Sequence, residues 1–377
     1  MQYIELSEMT SIFFYLCIVL VTTGFIHRAN QLQESKKSHW MLLFAIVVAS
    51  IPAMMRYGVG KDYIPYYEIG NQIGRMSDVS YAISYKSYIE SSFSICAYYI
   101  YKLLGDSTYV IGLYALLTQI FMILGAWEFR EYVKPEAVIY IYMCSFYWRT
   151  YNIFRQALAV AIVFWGIHFL LKKRIVPFVI AVCIATFIHK SAIISLLMVF
   201  YFRYTGQKNK TSARTELFLP LVAVLLLDYL YSLVAKIPIL SRYVKYYSES
   251  VQQSIFTPGT ILELMILILY VTYRIRKRES SQYDANVLNV FDKSIVCEIV
   301  FYFLMFRIKF AARIGLYFTA PAYCAFAYIC GKETICYHRL KFTIYQMSFI
   351  LISLSFFISA MISNGYGQLP YRFWIPW

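Results

Sequence analysis

Apolar runs long enough to cross a bilayer recur from one end of this chain to the other. A spanning helix needs about 20 apolar residues, with roughly 17 to 25 usual. Clear candidates are 10–27, 40–55, 108–127, 153–171, 216–235, 294–310, 314–330 and 342–362. Shorter runs at 137–150, 175–188, 191–204 and 259–273 need a borrowed flanking turn to span. Backbone in lipid must satisfy its own hydrogen bonds, so these are helices, and strand readings of the Tyr- and Ile-rich stretches are set aside. The run 92–104 is too short to cross comfortably and holds Lys102. It reads as an interfacial or re-entrant helix closing a long loop, 56–107. The expectation is an all-α, polytopic membrane bundle of about twelve spans, with both termini on one side. No repeat, low-complexity tract or linker divides the chain, so 1–377 reads as a single membrane domain with a second outer loop at 236–258.

Composition excludes the soluble classes. Only 15% of the residues are charged, against roughly a quarter in an average soluble chain. Met1–Glu8 carries two acidic residues and no Lys or Arg, so a removable leader is not expected. Of eight cysteines, Cys17, Cys144, Cys183, Cys297 and Cys324 lie in apolar runs, and none has zinc-ligand spacing. The net charge of +15 reflects cytoplasmic loops and anionic headgroups rather than nucleic acid. With the amino terminus outside, the inner loops are 28–39, 128–136, 172–174, 203–214, 274–293 and 331–341, and they hold 20 of the 35 Lys and Arg residues. The runs Lys172-Lys173-Arg174 and Arg274-Ile275-Arg276-Lys277-Arg278 are the firmest inner markers. A rival wiring makes 92–104 a span and puts the amino terminus inside. The shortness of 92–104 and the tight basic loop at 28–39 favour the first.

In that wiring the polar residues that sit badly in a membrane gather at the outer face. The loop 56–107 brings Arg56, Asp62 and Glu90; later turns bring Arg149, Asn152, Arg155 and Gln156, then His189 and Lys190, then Arg307, Lys309 and Arg313. A charge at the centre of a spanning helix costs roughly 2.5–3.5 kcal/mol by the lower estimates, so such residues usually face a cavity or one another. Several at one depth point to an anionic ligand. Arginine is the informative type, because its fixed fork binds phosphate oxygens bidentately and stays charged when desolvated. The bland alternative is an arginine that reaches up to a lipid headgroup. His189 ends an apolar run, where a structural role competes with acid–base work. Asp62 and Glu90 read either as ion-pair partners of the arginines or as a general base. The loop tyrosines Tyr57, Tyr63, Tyr66, Tyr67, Tyr81, Tyr85 and Tyr88 suit sugar rings as well as a membrane interface.

At these residues the sequence resembles the EpsG/Wzy-type polymerases of bacterial surface polysaccharide. Five short blocks carry the resemblance, in order across roughly residues 50 to 320. They are Arg56-Tyr57-Gly58-Val59-Gly60-Lys61-Asp62-Tyr63-Ile64-Pro65-Tyr66; Glu90 with Phe93; Arg155-Gln156-Ala157-Leu158-Ala159; His189-Lys190-Ser191-Ala192; and Arg313 to Tyr317-Phe318. Lys61 and Ser91-Ser92 depart from the family pattern. The resemblance implies a GT-C-like membrane glycosyltransferase at the outer face of the bacterial cytoplasmic membrane. It would transfer a growing glycan from undecaprenyl pyrophosphate onto the next lipid-linked repeat unit, beside a flippase and a chain-length regulator of the same pathway. Arg56, Arg155 and Arg313 are the expected phosphate clamp, with Tyr66, Asn152, Gln156 and Tyr317 as further substrate contacts. Asp62, Glu90 and His189 compete for the base. No carboxylate pair suggests a metal, and no cofactor is expected. A lipid-linked oligosaccharide flippase or an O-antigen-type ligase would also want arginines. A flippase, however, should line both leaflets with them.

Overall fold

Serine caps start the first two long helices. Ser7 Oγ accepts from Thr10 N at 3.2 Å and opens α1, Glu8–Gln31. Ser35 Oγ accepts from Ser38 N at 3.2 Å and opens α2, Lys36–Met54. Each bond satisfies a backbone donor that the first helical turn leaves unpaired. Three shorter helices follow: α3 (Tyr63–Gly74), α4 (Val79–Ser84) and α5 (Ser91–Leu104). Next come α6 (Thr108–Glu128), α7 (Pro135–Cys144), α8 (Phe146–Arg149), α9 (Phe154–Leu171) and α10 (Ile175–Ile188). A 3-10 stretch, Lys190–Leu196, leads to α11 (Leu197–Arg203). The remaining helices are α12 (Pro258–Arg276), α13 (Gln282–Met305), α14 (Ala311–Gly331) and α15 (Ile344–Ser363). This computed structural model describes residues 2–33, 35–86, 88–203, 258–276, 282–305, 311–331 and 344–375.

Among the described residues, five helices are long and apolar enough to cross a membrane: Glu8–Gln31, Lys36–Met54, Thr108–Glu128, Phe154–Leu171 and Gln346–Ser363. The expected span 216–235 and most of the expected outer loop 236–258 lie outside the described residues. The run at 137–150 is not one helix. It breaks at Ser145 between α7 and α8, where Ser145 Oγ donates back to Ile141 O at 2.6 Å. Likewise 191–204 begins as a 3-10 turn before α11 forms.

The expectation of an all-helical chain needs one correction. Strands β1 (Gln2–Glu5) and β2 (Arg372–Ile375) pair antiparallel, Gln2 opposite Ile375 and Glu5 opposite Arg372. They lie outside the long helices, so the argument against strands in lipid does not reach them. The pairing also brings the two chain ends together.

The chain divides into two compact units, Met1–Ile193 with Cys330–Trp377, and Ile194–Ile329. In the second unit, Lys293 Nζ donates to Tyr201 O at 2.6 Å and Tyr270 OH donates to Asp292 Oδ1 at 2.6 Å. In the first, α9 forms the centre and is buried from Phe154 through Phe164. From Ala157 to Ile167 it is apolar all round, which suits such a position. Its neighbour α6 approaches closely because Gly125 has no side chain: a Cβ there would sit 2.5 Å from Phe164 Cδ1. By contrast α1 and α2 expose Phe13, Leu20, Trp40, Phe44 and Val47, as helices bordered by lipid do.

Helices α6 and α9 run in the same direction, since Tyr114 meets Phe154 near both starts and Phe129 stacks on Phe164 further along. The basic loops collect beyond their far ends. His27 Nδ1 lies 3.0 Å from Glu136 Oε1, and Lys172 Nζ lies 3.1 Å from Glu128 Oε2. At the starting end, α5 leaves Glu90 beside Arg155 and hands the chain to α6 within four residues. Both ends of α5 therefore lie at the same end of the α6–α9 pair. Its 14 residues would span only about 21 Å, short of the roughly 30 Å of a hydrocarbon core.

Candidate active site

Three helix termini meet at this end. Glu90 is the N-cap residue of α5, Arg155 stands in the first turn of α9, and His189 is the C-cap of α10. Helix α10 stops at His189 because that residue adopts extended backbone, φ −150° and ψ 114°. A carboxylate at a helix start and a histidine at a helix end both suit the helix dipoles. Arg155 at a helix start does not, and the carboxylate beside it compensates.

Arg155 and Glu90 form an ion pair through Nη1 and Oε2, with both side chains less than a tenth exposed. On the other carboxylate oxygen, Oε1, His189 Nδ1 approaches to 2.8 Å. That contact is at ion-pair distance without the alignment of a formed hydrogen bond. Arg155 Nη2 donates to Tyr66 OH at 2.6 Å. The guanidinium also lies 4.9 Å from the Tyr66 ring centre and 5.8 Å from that of Phe93. Phe154 packs edge-on against Tyr66 at 4.8 Å and Tyr114 closes the floor. Low-dielectric walls of this kind strengthen every charge interaction inside them.

Burial pushes the Glu90 carboxyl up, and His189 and Arg155 more than reverse this, so it lies below the ordinary value of 4.5. An acid whose folded pKa lies below its unfolded one stabilises the fold fully above the unfolded value. It loses that contribution as pH falls through the folded value. The melting-temperature gap between the parent protein and Glu90→Gln in detergent should therefore be constant above pH 4.5 and shrink below it. A gap that fades well above 4.5 would contradict the pairing.

The other sequence candidates sit differently. Arg56 is 1% exposed. Its Nε donates to Ala53 O at 3.1 Å, and Nη1 donates to Val59 O and Tyr151 O at 2.9 Å each. The Tyr151 and Tyr63 rings flank it at 4.4 and 5.5 Å. Asn152 ties three segments together, with Nδ2 donating to Tyr366 O at 3.2 Å and Oδ1 facing Asp62 N at 3.5 Å. The Asp62 side chain is exposed and makes no cap bond to α3. Gln156 is buried next to Arg155. Arg313 and Tyr317 belong to the second unit, at the start of α14, the first exposed and the second buried. Among the described residues no group of three or more His, Cys, Asp or Glu converges as a metal site.

A segment that sequence reasoning passed over braces the loop around Arg56. The chain from Asn364 to Ile375 bonds to the loop after α2 through Gly60 N to Gly367 O at 2.8 Å, Tyr57 N to Arg372 O at 2.9 Å and Trp374 N to Met55 O at 2.7 Å. Gly60 makes this possible with φ +102°. A Cβ at Gly60 would meet Arg56 Nη1 at 2.8 Å and Tyr151 O at 3.1 Å. Gly60→Ala should therefore cost about 1–3 kcal/mol, from strain and overpacking together. Thermal unfolding of the solubilised protein reads this directly, and an unshifted melt would contradict it.

A family model described as the EpsG family matches residues 39–373. No curated protein and no solved structure matches the chain.

Proposed function

Because the chain belongs to the EpsG family, the family of Wzy-type polysaccharide polymerases, we propose that it elongates a surface polysaccharide from undecaprenyl-pyrophosphate-linked units. The observation that carries this reading is the convergence of Glu90, Arg155, His189 and Tyr66 in an apolar surround. In it Arg155 binds the pyrophosphate of the donor. The acceptor hydroxyl attacks the anomeric carbon of the donor glycan, and the bond from that carbon to phosphate oxygen breaks. The electron pair leaves with the lipid pyrophosphate, where developing negative charge is met by a cation already in position. The hydroxyl proton passes to Nε2 of His189, the nitrogen turned away from Glu90. Glu90 orients the ring through Nδ1, and its depressed pKa suits an orienting carboxylate better than a base.

Sidedness belongs to the same proposal. The basic loops 28–39, 128–136 and 172–174 meet at the end of the first unit away from Arg155, and the positive-inside rule makes that end cytoplasmic. The site then faces outward, at the cytoplasmic membrane's outer surface. Arg56 serves as scaffold for the loop carrying Asp62. Arg313 and Tyr317 are proposed as substrate contacts on the family resemblance of their block alone.

Purified protein in liposomes, given lipid-linked repeat units alone, tests the reaction class. Elongation with release of undecaprenyl pyrophosphate is the expected result. Relocation of the lipid without elongation would indicate a flippase, and elongation that needs a second kind of acceptor would indicate a ligase.

A further inference from the structure

A phosphate site built around a buried arginine has an electrostatic problem. A buried guanidinium without an anion costs several kcal/mol, so something must neutralise it until substrate arrives. Here Glu90 does so. Arg155 is 8% exposed, with Nη1 on Glu90, Nη2 on Tyr66 OH, and the Tyr66 and Phe93 rings near it. A pyrophosphate therefore cannot simply add to Arg155, because the fork it needs already holds a carboxylate under a tyrosine.

We propose that Glu90 is a place-holder for the donor's pyrophosphate: the lipid phosphate binds by displacing Glu90 from Arg155, with Tyr66 moving aside to admit it. This rests on the reading of Arg155 as the phosphate clamp. Chemistry favours the exchange, since a pyrophosphate brings more charge and more acceptor oxygens to the same planar fork. The displaced carboxylate is not stranded. Its Oε1 already lies 2.8 Å from His189 Nδ1, and as N-cap residue of α5 it makes no side-chain cap bond. Ser92, two residues on, keeps a buried hydroxyl without a formed hydrogen bond. On displacement the carboxylate gives up Arg155 and strengthens its hold on the histidine. Phosphate arrival and histidine orientation are then one event.

The consequence runs against ordinary mutational intuition. Removing the Glu90 charge should tighten binding while ending turnover. With full-length purified protein and undecaprenyl pyrophosphate as the probe, Glu90→Gln should bind roughly tenfold tighter than the parent, the gain that follows when Arg155 is free of Glu90 about a tenth of the time. Glu90→Asp, which keeps the charge but shortens the reach, should fall between them, and it carries the test should the glutamine variant fail to fold. Equal or weaker binding by the folded Glu90 variant would overturn the place-holder. Arg155→Ala separates the two readings. If it loses the probe while Glu90→Gln gains nothing, the clamp stands and the place-holder falls; if it binds like the parent, the clamp itself is wrong.

Discussion

Cells carrying Arg155→Ala make no long glycan chains, although the protein still inserts in the membrane: this is the largest effect expected of any single change. Losing one positioned donor to a developing anion typically costs about 100- to 1,000-fold in rate. A ladder that needs many successive transfers magnifies any such loss. There is a second effect to separate from the first. Removing one partner of a buried ion pair costs about 3–5 kcal/mol, because the other charge is left uncompensated. Arg155→Ala leaves Glu90 with His189 as its remaining partner, so the loss should fall toward the low end of that range. The double variant Arg155→Ala with Glu90→Gln removes both charges, so it should recover much of the thermal stability and none of the polymer. Arg155→Lys keeps a charge without the planar fork, and should make short chains only. Glycan ladders read activity, and melting in detergent reads the fold. A normal ladder from Arg155→Ala would remove that residue from the mechanism.

Arg56→Ala should fail earlier, at the level of the fold. Its guanidinium is enclosed and spends its bonds on the carbonyls of Ala53, Val59 and Tyr151. Truncation strands those acceptors at about 1–3 kcal/mol each, and it empties a space between two tyrosine rings. Native stability is only about 5–15 kcal/mol for a typical domain, so losses of this size remove folded protein. The measurement is the yield of monodisperse protein after detergent extraction. Little or none should survive for Arg56→Ala, with partial recovery for Arg56→Lys. Should the alanine variant extract normally yet lose the glycan ladder, Arg56 would be touching substrate instead.

The contrast between these two arginines shows what the sequence could and could not express. Both stand at helix boundaries in short family blocks, and both look out of place in a membrane. Residue type and sidedness were enough to nominate Glu90, Arg155, His189 and Tyr66 one at a time. Their partnership was not legible, because the ion pair joins residues 65 positions apart and nothing local encodes it. Arg56 differs from Arg155 only in what surrounds it. Val59 and Tyr151 offer carbonyls where Arg155 finds a carboxylate and a phenol. Asn152 donates to Tyr366 O, a bond that no local pattern encodes. The long spans were plain from hydropathy, as was the shortness of 92–104. The break at Ser145 was not, since the residues directly on either side of it, 137–144 and 146–148, are all apolar or aromatic. Nor were the terminal strands, four residues each and paired across the whole chain. A pairing that distant leaves no turn motif to read. The division into two units also has no composition shift to mark it.

The central claim is that Arg155 holds the pyrophosphate of the lipid carrier. A structure of the full-length protein with undecaprenyl pyrophosphate bound tests it most directly. The expected result puts a phosphate oxygen about 2.7–2.9 Å from the Arg155 guanidinium, the range of charge-assisted hydrogen bonds, with Glu90 moved off Arg155 toward His189. Phosphate seated elsewhere, with Arg155 and Glu90 still joined, would contradict it.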